Sequence, residues 1–410
     1  MTARGSSFPA LQHRDYRLMW IGMLISFSGS TMQSAAILWH VSLLVAPNHK
    51  GLALGMVGLV KVVPIIVFSI ISGVVADAVD RRKLLLLSQV LLAIIAIAFA
   101  VLTFAGLAVA WPIYVLAALT SAVSAFEAPA RGALVPNLVP REHLPNAISL
   151  NTIMFQASSI VGPSLAGIVI AAAGIGWVYV ANAVSFLAMI VALLMMRSPA
   201  RAESSPASSI SIASALEGLR FVFAQPMIRS TMLLDFFATF FASATALLPI
   251  YAQDILRVGP TGYGWLYAAP SIGAGIASVA LVRLVDRIER RGAVLLWAVV
   301  GFGLATVGFG FSRAFWLTLL CLGITGATDT VSMVIRNIIR QLETPDELRG
   351  RMTGVNMVFF MGGPQLGELE AGMVAQWLGA TVSVVSGGIG CLLATAWVAA
   401  ATPALRRYRR

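Results

Sequence analysis

A short run of acidic and basic residues occurs twice in the chain, as Val-Ala-Asp-Ala-Val-Asp-Arg-Arg at 75–82 and as Val-Asp-Arg-Ile-Glu-Arg-Arg at 285–291. Each copy lies between two long apolar stretches. A second repeat agrees with the first, because Gly-Pro-Ser-Leu at 162–165 corresponds to Gly-Pro-Gln-Leu at 363–366. Two apolar halves of similar sequence are typical of membrane transporters that rock one half against the other around a central site.

The composition indicates that lipid is the main solvent of this chain. Hydrophobic residues make up 59% of the 410 residues and charged residues 11%, whereas a soluble domain carries roughly 25% charged residues. The net charge of +11 raises the possibility of nucleic-acid binding. However, the basic residues recur in short clusters between apolar runs, which is the pattern that orients a membrane protein, so no nucleic-acid partner is expected.

The chain offers no pattern typical of a cofactor, a metal site or an enzyme. Cys321 and Cys391 both lie inside apolar runs, and neither a disulfide framework nor metal-ligand spacing is present. The first 15 residues are polar, so no cleavable signal peptide is expected. The sequence contains no nucleophile–base set, zinc-protease motif or Walker loop. The energy source must then be an ion gradient or the gradient of the substrate itself.

Twelve apolar stretches are each long enough to cross a bilayer, which requires about 20 residues. Backbone polar groups in lipid need partners within their own segment, so the stretches are predicted to be helices. The predicted fold is all-α and integral to the membrane, with two pseudo-symmetric bundles of six helices. The predicted spans are 17–44, 52–77, 83–107, 111–131, 146–172, 176–196, 227–252, 261–284, 293–311, 315–336, 352–378 and 381–401.

The distribution of basic residues predicts the orientation and the domain boundaries. One side of the predicted membrane collects 24 of the 28 Lys and Arg residues, which places both termini in the cytoplasm. The connection at 197–225 is rich in Ser, Pro and Ala and then turns amphipathic. It is interpreted as a cytosolic linker ending in an interfacial helix, or as a plain spacer. The predicted domains are therefore 1–196 and 226–410, joined by this linker.

These features resemble the major facilitator superfamily over nearly the whole chain. Its signature between spans 2 and 3 is a glycine, an aspartate four residues later and a basic pair. Here these residues are Gly73, Asp77, Arg81 and Arg82. The match departs at Ala78, where an arginine is usual, and at Asp80, where a glycine is usual.

A second resemblance is to the exporter signature of span 5. It consists of Gly162, Pro163 and Gly167, with Ser158 and Ala166 in place of two glycines. The segments at 129–136 and 366–372 resemble the branch that contains the enterobactin exporter and macrolide-efflux-like proteins. The resemblance implies two six-helix bundles, alternating access and export of small molecules.

The repeated loop is interpreted as a conformational latch. A glycine lets helices approach closely, an aspartate at a helix end can face a neighbouring helix N-terminus, and arginines can anchor to anionic headgroups. The alternative is that the residues only determine topology. The latch residues are Gly73, Asp77, Arg81 and Arg82 in the first copy, with Asp286, Arg290 and Arg291 in the second.

Ionisable residues inside predicted spans are expensive and indicate function by default. Lys61 in span 2 and Glu370 in span 11 lie at about the same depth, with Glu368 two residues deeper. Because the resemblance implies that spans 2 and 11 abut, Lys61 is predicted to pair with one of the two glutamates while the other titrates. The alternative is a static structural pair.

Six further polar residues are candidates for the substrate cavity, which spans 1, 4, 7 and 10 line in this superfamily. Glu127 and Arg131 are four residues apart and are predicted to form a pair. The alternatives are a helix-bridging role for Gln33, an interfacial role for His40 beside Trp39, and satisfaction by the backbone for the two aspartates. The candidates are Gln33, His40, Glu127, Arg131, Asp235 and Asp329.

The sequence thus predicts a secondary transporter of the inner membrane that exports small amphipathic molecules, of the siderophore or drug type, in exchange for protons. Its expected partners are the substrate, protons and membrane lipids, and it is expected to be a monomer without a cofactor or metal. A metabolite importer or facilitator and a non-transporting membrane sensor are the alternatives.

Overall fold

The computed structural model describes residues 8–197, 219–345 and 348–409 of the chain. The side chains at 69–71, 73–74, 76–78, 350–351, 358 and 361 lie outside this description. Among the described residues every regular element is helical, which confirms the predicted fold class. The first half contains α1 (Arg14–Leu44), α2 (Lys50–Ala78), α3 (Arg81–Phe104), α4 (Ala110–Leu134), α5 (Leu144–Ala173) and α6 (Ile175–Met195).

The second half repeats the pattern with six more long helices and a short terminal one. They are α7 (Pro226–Phe241), α8 (Gly259–Leu284), α9 (Arg291–Phe311), α10 (Phe315–Glu343), α11 (Arg349–Leu378), α12 (Ala380–Ala401) and α13 (Pro403–Arg407). Of the predicted linker, 198–218 lie outside the described residues and 219–224 are helical.

Within the described ranges, 11 helices are long and apolar enough to cross a membrane. The remaining predicted span corresponds to α11, which has 30 residues and is therefore long enough. Glu368 and Glu370 lie within it and make it less apolar than the others. The 12 predicted spans thus all correspond to helices, and the least apolar of them is the helix that carries these two carboxyl groups.

The turns between α5 and α6 and between α11 and α12 each contain a glycine with positive φ. Gly174 has φ +92° and Gly379 has φ +86°, a region that side chains with a Cβ rarely occupy. The Gly174 N–H donates to the carbonyls of Val169 and Ile170, which closes the end of α5. A single glycine therefore reverses the chain at the equivalent place in each half.

The backbone contacts divide the chain into two compact units. Unit 1 comprises Met1–His40 and Val63–Ser208, and unit 2 comprises Val41–Val62 and Ser209–Arg410. The first part of α2 therefore groups with the second half of the sequence. Unit 1 has an apolar core to which α1, α3, α4, α5 and α6 contribute, with Tyr16, Leu85, Leu134, Met154 and Leu193 at most 4% exposed.

Unit 2 has a core between α7, α9, α10 and α12, and its helix α7 is interrupted. After Phe241 the backbone leaves the helical path at Ala242 (φ −103°, ψ +19°), and a 3-10 turn covers Thr245–Leu247. Pro249 lies beyond the break, at the start of the next helical turn, where its missing N–H is tolerated. The chain then continues through Leu248–Ile250 into a π-helical segment at Tyr251–Ile255.

Candidate functional site

A polar chain links α1, α3 and α4 in unit 1. The Ser26 hydroxyl donates to Gln89 Oε1 over 3.1 Å, and Gln89 Nε2 donates in turn to the Glu127 carboxylate. One turn later, the Arg131 guanidinium lies between two aromatic rings, 4.8 Å from the centre of Phe27 and 4.7 Å from that of Phe155. Glu127 and Arg131 interact electrostatically along the same helix. Each also has a partner on another helix.

Two other predicted cavity residues bridge α1 to α6. Asn182 Nδ2 donates to Gln33 Oε1 over 2.8 Å, and His40 Nδ1 lies 2.9 Å from the Tyr179 hydroxyl. Gln33 and His40 are 3% and 4% exposed. This geometry corresponds to a helix-bridging role, the alternative given above for Gln33.

In the first copy of the loop, the basic pair holds the ends of two other helices. Arg81 Nη1 donates to the Ala133 carbonyl over 3.0 Å at the end of α4, and Arg82 Nη2 donates to the Leu194 carbonyl over 3.2 Å at the end of α6. The Asp80 carboxylate accepts from the backbone N–H groups of Arg82 and Lys83 and thus caps α3. The surroundings of Gly73 and the side chain of Asp77 lie outside the described part of the chain.

The second copy is built differently. Asp286 lies in a 3-10 turn at Val285–Arg287, and Arg290 occupies the cap position of α9 without a side-chain capping bond. Arg291 is 7% exposed. The next residue, Gly292, donates its N–H to the Tyr408 carbonyl over 3.1 Å, so the C-terminal segment packs on this loop.

The chain end also reaches α10. Burial raises the pKa of the Tyr408 hydroxyl, and the neighbouring Glu343 carboxylate acts in the same direction. A Cβ at Gly292 would overlap the Leu405 carbonyl oxygen, so only glycine allows this contact. The second loop is therefore held by the C-terminal segment, whereas the first is held by its own arginines.

The span 5 motif allows α5 to approach α1. A Cβ at Gly162 would overlap the Thr31 hydroxyl and stand 2.5 Å from the Ser28 carbonyl. Pro163 follows inside the helix, and Gly167 one turn later is buried. These residues form a close helix–helix contact of the kind that small residues provide in membranes.

In unit 2, α2 packs on α11 through glycines, and a charged residue of each helix lies beside that contact. A Cβ at Gly55 would stand 3.0 Å from Gly372 Cα, and one at Gly58 would stand 2.9 Å from Glu368 Cβ. Lys61, one turn further along α2, interacts electrostatically with Glu368. Glu368 rather than Glu370 is therefore the glutamate that the structure places with Lys61.

The two predicted aspartates of unit 2 share a pair of arginines that sequence reasoning missed. Arg336 Nη2 lies 2.8 Å from Asp235 Oδ1 and 3.7 Å from Asp329 Oδ1, and Arg340 Nη2 lies 3.6 Å from Asp235 Oδ2. Both arginines are at most 2% exposed. Their four-residue spacing on α10 places them on one face, and that spacing was the available signal.

A second missed network lies near the start of α2, also in unit 2. Lys50 Nζ lies 3.1 Å from Asp254 Oδ2 and donates to Gln253 Oε1 over 2.9 Å. Gln253 Nε2 donates to the Ser42 hydroxyl over 2.7 Å. The π-helical segment after the break in α7 thus binds the α1–α2 connection. No periodic signal in the sequence points to this network.

The arrangement as a whole contains buried ion pairs and polar bridges between helices rather than a reaction centre. In the described ranges, no cluster of three or more His, Cys, Asp or Glu residues could hold a metal ion. Buried charges on several helices that can exchange partners are suited to ion or substrate movement through a membrane.

Comparisons with known proteins cover almost the whole chain. The family model described as "Transmembrane secretion effector" matches residues 5–407. The enterobactin exporter EntS of Escherichia coli O1:K1 / APEC is 25% identical over 402 residues, which cover 97% of this chain and 94% of that protein. The enterobactin exporter EntS of Shigella boydii serotype 18 (strain CDC 3083-94 / BS512) has the same identity and coverage.

Solved structures of similar fold are also transporters. A bacterial homologue of the human lysosomal transporter Spinster, inward-facing and unoccupied, superposes with a TM-score of 0.74 at 15% identity, covering 98% of this chain and 99% of that one. The nucleoside transporter NupG gives 0.69 at 14% identity, covering 96% and 99%. An inward-facing bacterial homologue of the iron transporter ferroportin gives 0.71 at 16% identity, covering 96% and 99%. At these identities the similarity concerns the fold alone.

Proposed function

The chain belongs to the transmembrane secretion effector family of the major facilitator superfamily, and from that premise we propose that it exports small amphipathic molecules in exchange for protons. It is a multi-pass membrane transporter and not an enzyme. The observation that carries the proposal is the charged pair Lys61 and Glu368, which lies beside a glycine contact between two spanning helices of unit 2. A charged side chain inside a spanning helix is costly, and such residues indicate function by default.

The proposed substrate class follows from the relatives. The relatives named above are enterobactin exporters and match along almost their whole length. A siderophore of this kind and many drugs share one chemistry, since each combines aromatic surface with hydrogen-bonding groups. The proposed direction is outward from the cytoplasm, across the inner membrane, with both termini on the cytoplasmic side.

The proposed coupling uses the glutamate. When Glu368 is ionised, its charge stabilises Lys61; when it takes up a proton, the attraction is lost and the contact between α2 and α11 weakens. Glycine contacts allow this change because the two backbones are held by packing rather than by interlocked side chains. The loop residues Gly73, Asp77, Arg81, Arg82, Asp286, Arg290 and Arg291 are proposed to latch the cytoplasmic side in the same cycle.

Export from cells that lack their other exporters tests the proposal. Cells carrying the protein should lose a labelled catechol siderophore or an amphipathic drug faster than empty cells, and a protonophore should abolish the difference. Glu368→Gln should transport poorly, with Glu370→Gln as the matched control on the same helix. Accumulation instead of loss of every compound tested would reverse the proposed direction. Equal activity with the protonophore would exclude proton coupling.

A further inference from the structure

An open groove of about 500 Å³ runs between α9 and α10 of unit 2, and we call it the α9–α10 groove. Its volume lies within the range of small-molecule sites, about 300–1,000 Å³. Trp297 of α9 forms part of the wall and is 73% exposed, so the groove opens on the outside of the two helices. In a multi-pass membrane protein, such a surface is covered by lipid.

The residues between the two helices are small, which explains both the groove and its apolar wall. Ala293 of α9 and Ala327 of α10 line it. The helices are in contact beside it, since a Cβ at Gly301 would stand 3.1 Å from the methyl carbon of Thr328. The Thr328 hydroxyl donates to the Ile324 carbonyl over 2.7 Å, so its proton is committed to its own helix. The wall of the groove therefore suits an aliphatic chain and not a polar molecule.

One end of the groove carries a positive charge, because Arg290 is also part of its wall. Arg290 is exposed, and its guanidinium makes neither a hydrogen bond nor an ion pair with any residue in the described ranges. The acids of the same loop, Asp286 and Glu289, do not line the groove. The groove thus combines a hydrocarbon wall with an arginine that is available to an anionic group.

The first copy of the loop shows that this arrangement is particular to the second. Arg81 corresponds to Arg290 in the repeat, and its Nη1 donates to the Ala133 carbonyl over 3.0 Å. The same cation therefore binds a helix end of the protein in the first half, whereas in the second half it lines the groove.

Other basic side chains lie at the same end of unit 2. The Gly292 N–H donates to the Tyr408 carbonyl over 3.1 Å, which places the C-terminal segment beside the start of α9. Five more exposed arginines of the loop and of this segment form no side-chain hydrogen bond or ion pair within the described part of the chain, and they outnumber the exposed acids Asp286, Glu289 and Glu343. They are Arg283, Arg287, Arg406, Arg407 and Arg409. Clustered arginines beside a spanning helix attract anionic lipid headgroups.

We propose that the α9–α10 groove binds one anionic phospholipid, with an acyl chain along Ala293, Trp297 and Ala327 and the phosphate on Arg290. A guanidinium matches a phosphate because it can donate two parallel hydrogen bonds. The bound lipid gives the second loop an anchor outside the protein, where Arg81 gives the first loop one inside it. The site is separate from the charged pair proposed for coupling and does not depend on the identity of the exported molecule.

Native mass spectrometry and thermal unfolding of the purified full-length protein in detergent test the proposal. One dioleoyl phosphatidylglycerol should stay bound, and it should raise the unfolding temperature by about 3 °C more than dioleoyl phosphatidylcholine does. Arg290→Gln should raise the phosphatidylglycerol concentration needed for half-occupancy about tenfold. Ala293→Trp, which fills the groove, should abolish the binding. Because Arg290 is exposed, Arg290→Gln decides the test if Ala293→Trp does not fold.

Two matched variants separate this site from general attraction. Arg283→Gln removes the same charge from the same loop without touching the groove, and it should keep the affinity. Ile276→Trp fills the neighbouring groove between α8 and α10, which has no basic residue in its wall, and it should also keep the affinity.

Three outcomes would overturn the proposal. Equal binding of phosphatidylcholine would mean that lipid covers the groove without selection for charge. An equal loss in Arg283→Gln and Arg290→Gln would mean that the arginines act only as a diffuse positive surface. Equal stabilisation by soluble glycerol 3-phosphate would mean that Arg290 binds phosphate without using the groove.

Discussion

Arg131 in unit 1 and Arg336 in unit 2 occupy the same place in the repeat, since each precedes a proline, Pro140 or Pro345, by nine residues. Their surroundings differ completely. The first guanidinium lies between two phenylalanine rings, and the second lies 2.8 Å from the buried carboxylate of Asp235. One inherited cation is thus stabilised by aromatic faces in one half and by ion pairs in the other.

The two arginines differ in whether they can change their charged partner. The Arg131 guanidinium is held by packing and by the ring quadrupoles, and Glu127 of its own helix is its only charged neighbour among the described residues. Arg336 has two carboxylates within 3.7 Å, on different helices, and so can shift its charge from one to the other. Unit 2 therefore contains the arginine with two carboxylates within 4 Å, which is the arrangement suited to switching.

The largest effect is expected from Arg336→Gln. It leaves the Asp235 carboxylate, 3% exposed, with only Arg340 at 3.6 Å. A buried charge stranded in this way costs about 3–5 kcal/mol, which should be measurable as a large fall in unfolding temperature in detergent. Adding Asp235→Asn should not restore the stability, because it also removes the carboxylate that lies 3.6 Å from the buried Arg340. Native stability of the single variant would show that the pair is dispensable.

A smaller loss of stability is expected from Arg131→Gln, at the equivalent position in unit 1. Two cation–π contacts in a desolvated site contribute about 2 kcal/mol in total. The loss should be additive with that of Arg336→Gln, because the two networks share no partner among the described residues. If the two substitutions lowered the stability equally, or if their effects were strongly coupled, the contrast between the halves would be wrong.

The contrast extends to the pair formed by Lys61 and Glu368. In the repeat Asp77 corresponds to Asp286, and by the same spacing Lys61 corresponds to Pro270. By the spacing between the two Gly-Pro motifs, Glu368 corresponds to Gly167. The charged pair thus has no counterpart in the repeat. Lys61→Ala should lower the transport rate about tenfold, equivalent to ~1.4 kcal/mol, which lies within the usual range of coupling between neighbouring residues.

A double-mutant cycle separates the two glutamates. The double variant Lys61→Ala with Glu368→Ala should transport faster than Lys61→Ala alone, since no charge is then unpaired, but its rate should no longer depend on pH because the proton-binding carboxylate is gone. The same cycle with Glu370→Ala should give additive losses. Transport rates measured across pH in both cycles check this, and strictly additive losses in the Glu368 cycle would show that Lys61 has another partner.

The sequence predicted the elements of this fold because hydropathy and repeats are local signals. Twelve helices and the broad class follow from composition and spacing. The partners of the buried charges do not, since they depend on which helix faces which. Glu127 and Arg131 have the right spacing for a pair, yet Gln89 and two phenylalanines from other helices compete for them. The break in α7 at Ala242 is likewise a feature that no periodicity of the sequence reveals.

The two copies of the repeated loop should differ in stability, although their sequences correspond. Asp80 is the N-cap of α3 and accepts from two backbone N–H groups, whereas in the second copy the N-cap of α9 is Arg290, without a side-chain capping bond, and Glu289 precedes it. A capping aspartate contributes about 1 kcal/mol, so Asp80→Ala should lower the stability by that amount and Glu289→Ala should change it little.

Thermal unfolding of the two variants is the measurement, with Asp80→Asn, which can still cap, retaining most of the stability. An equal loss in both copies would mean that the carboxylates act through charge near the loop rather than through the cap. The difference between the halves would then lie only in the spanning helices.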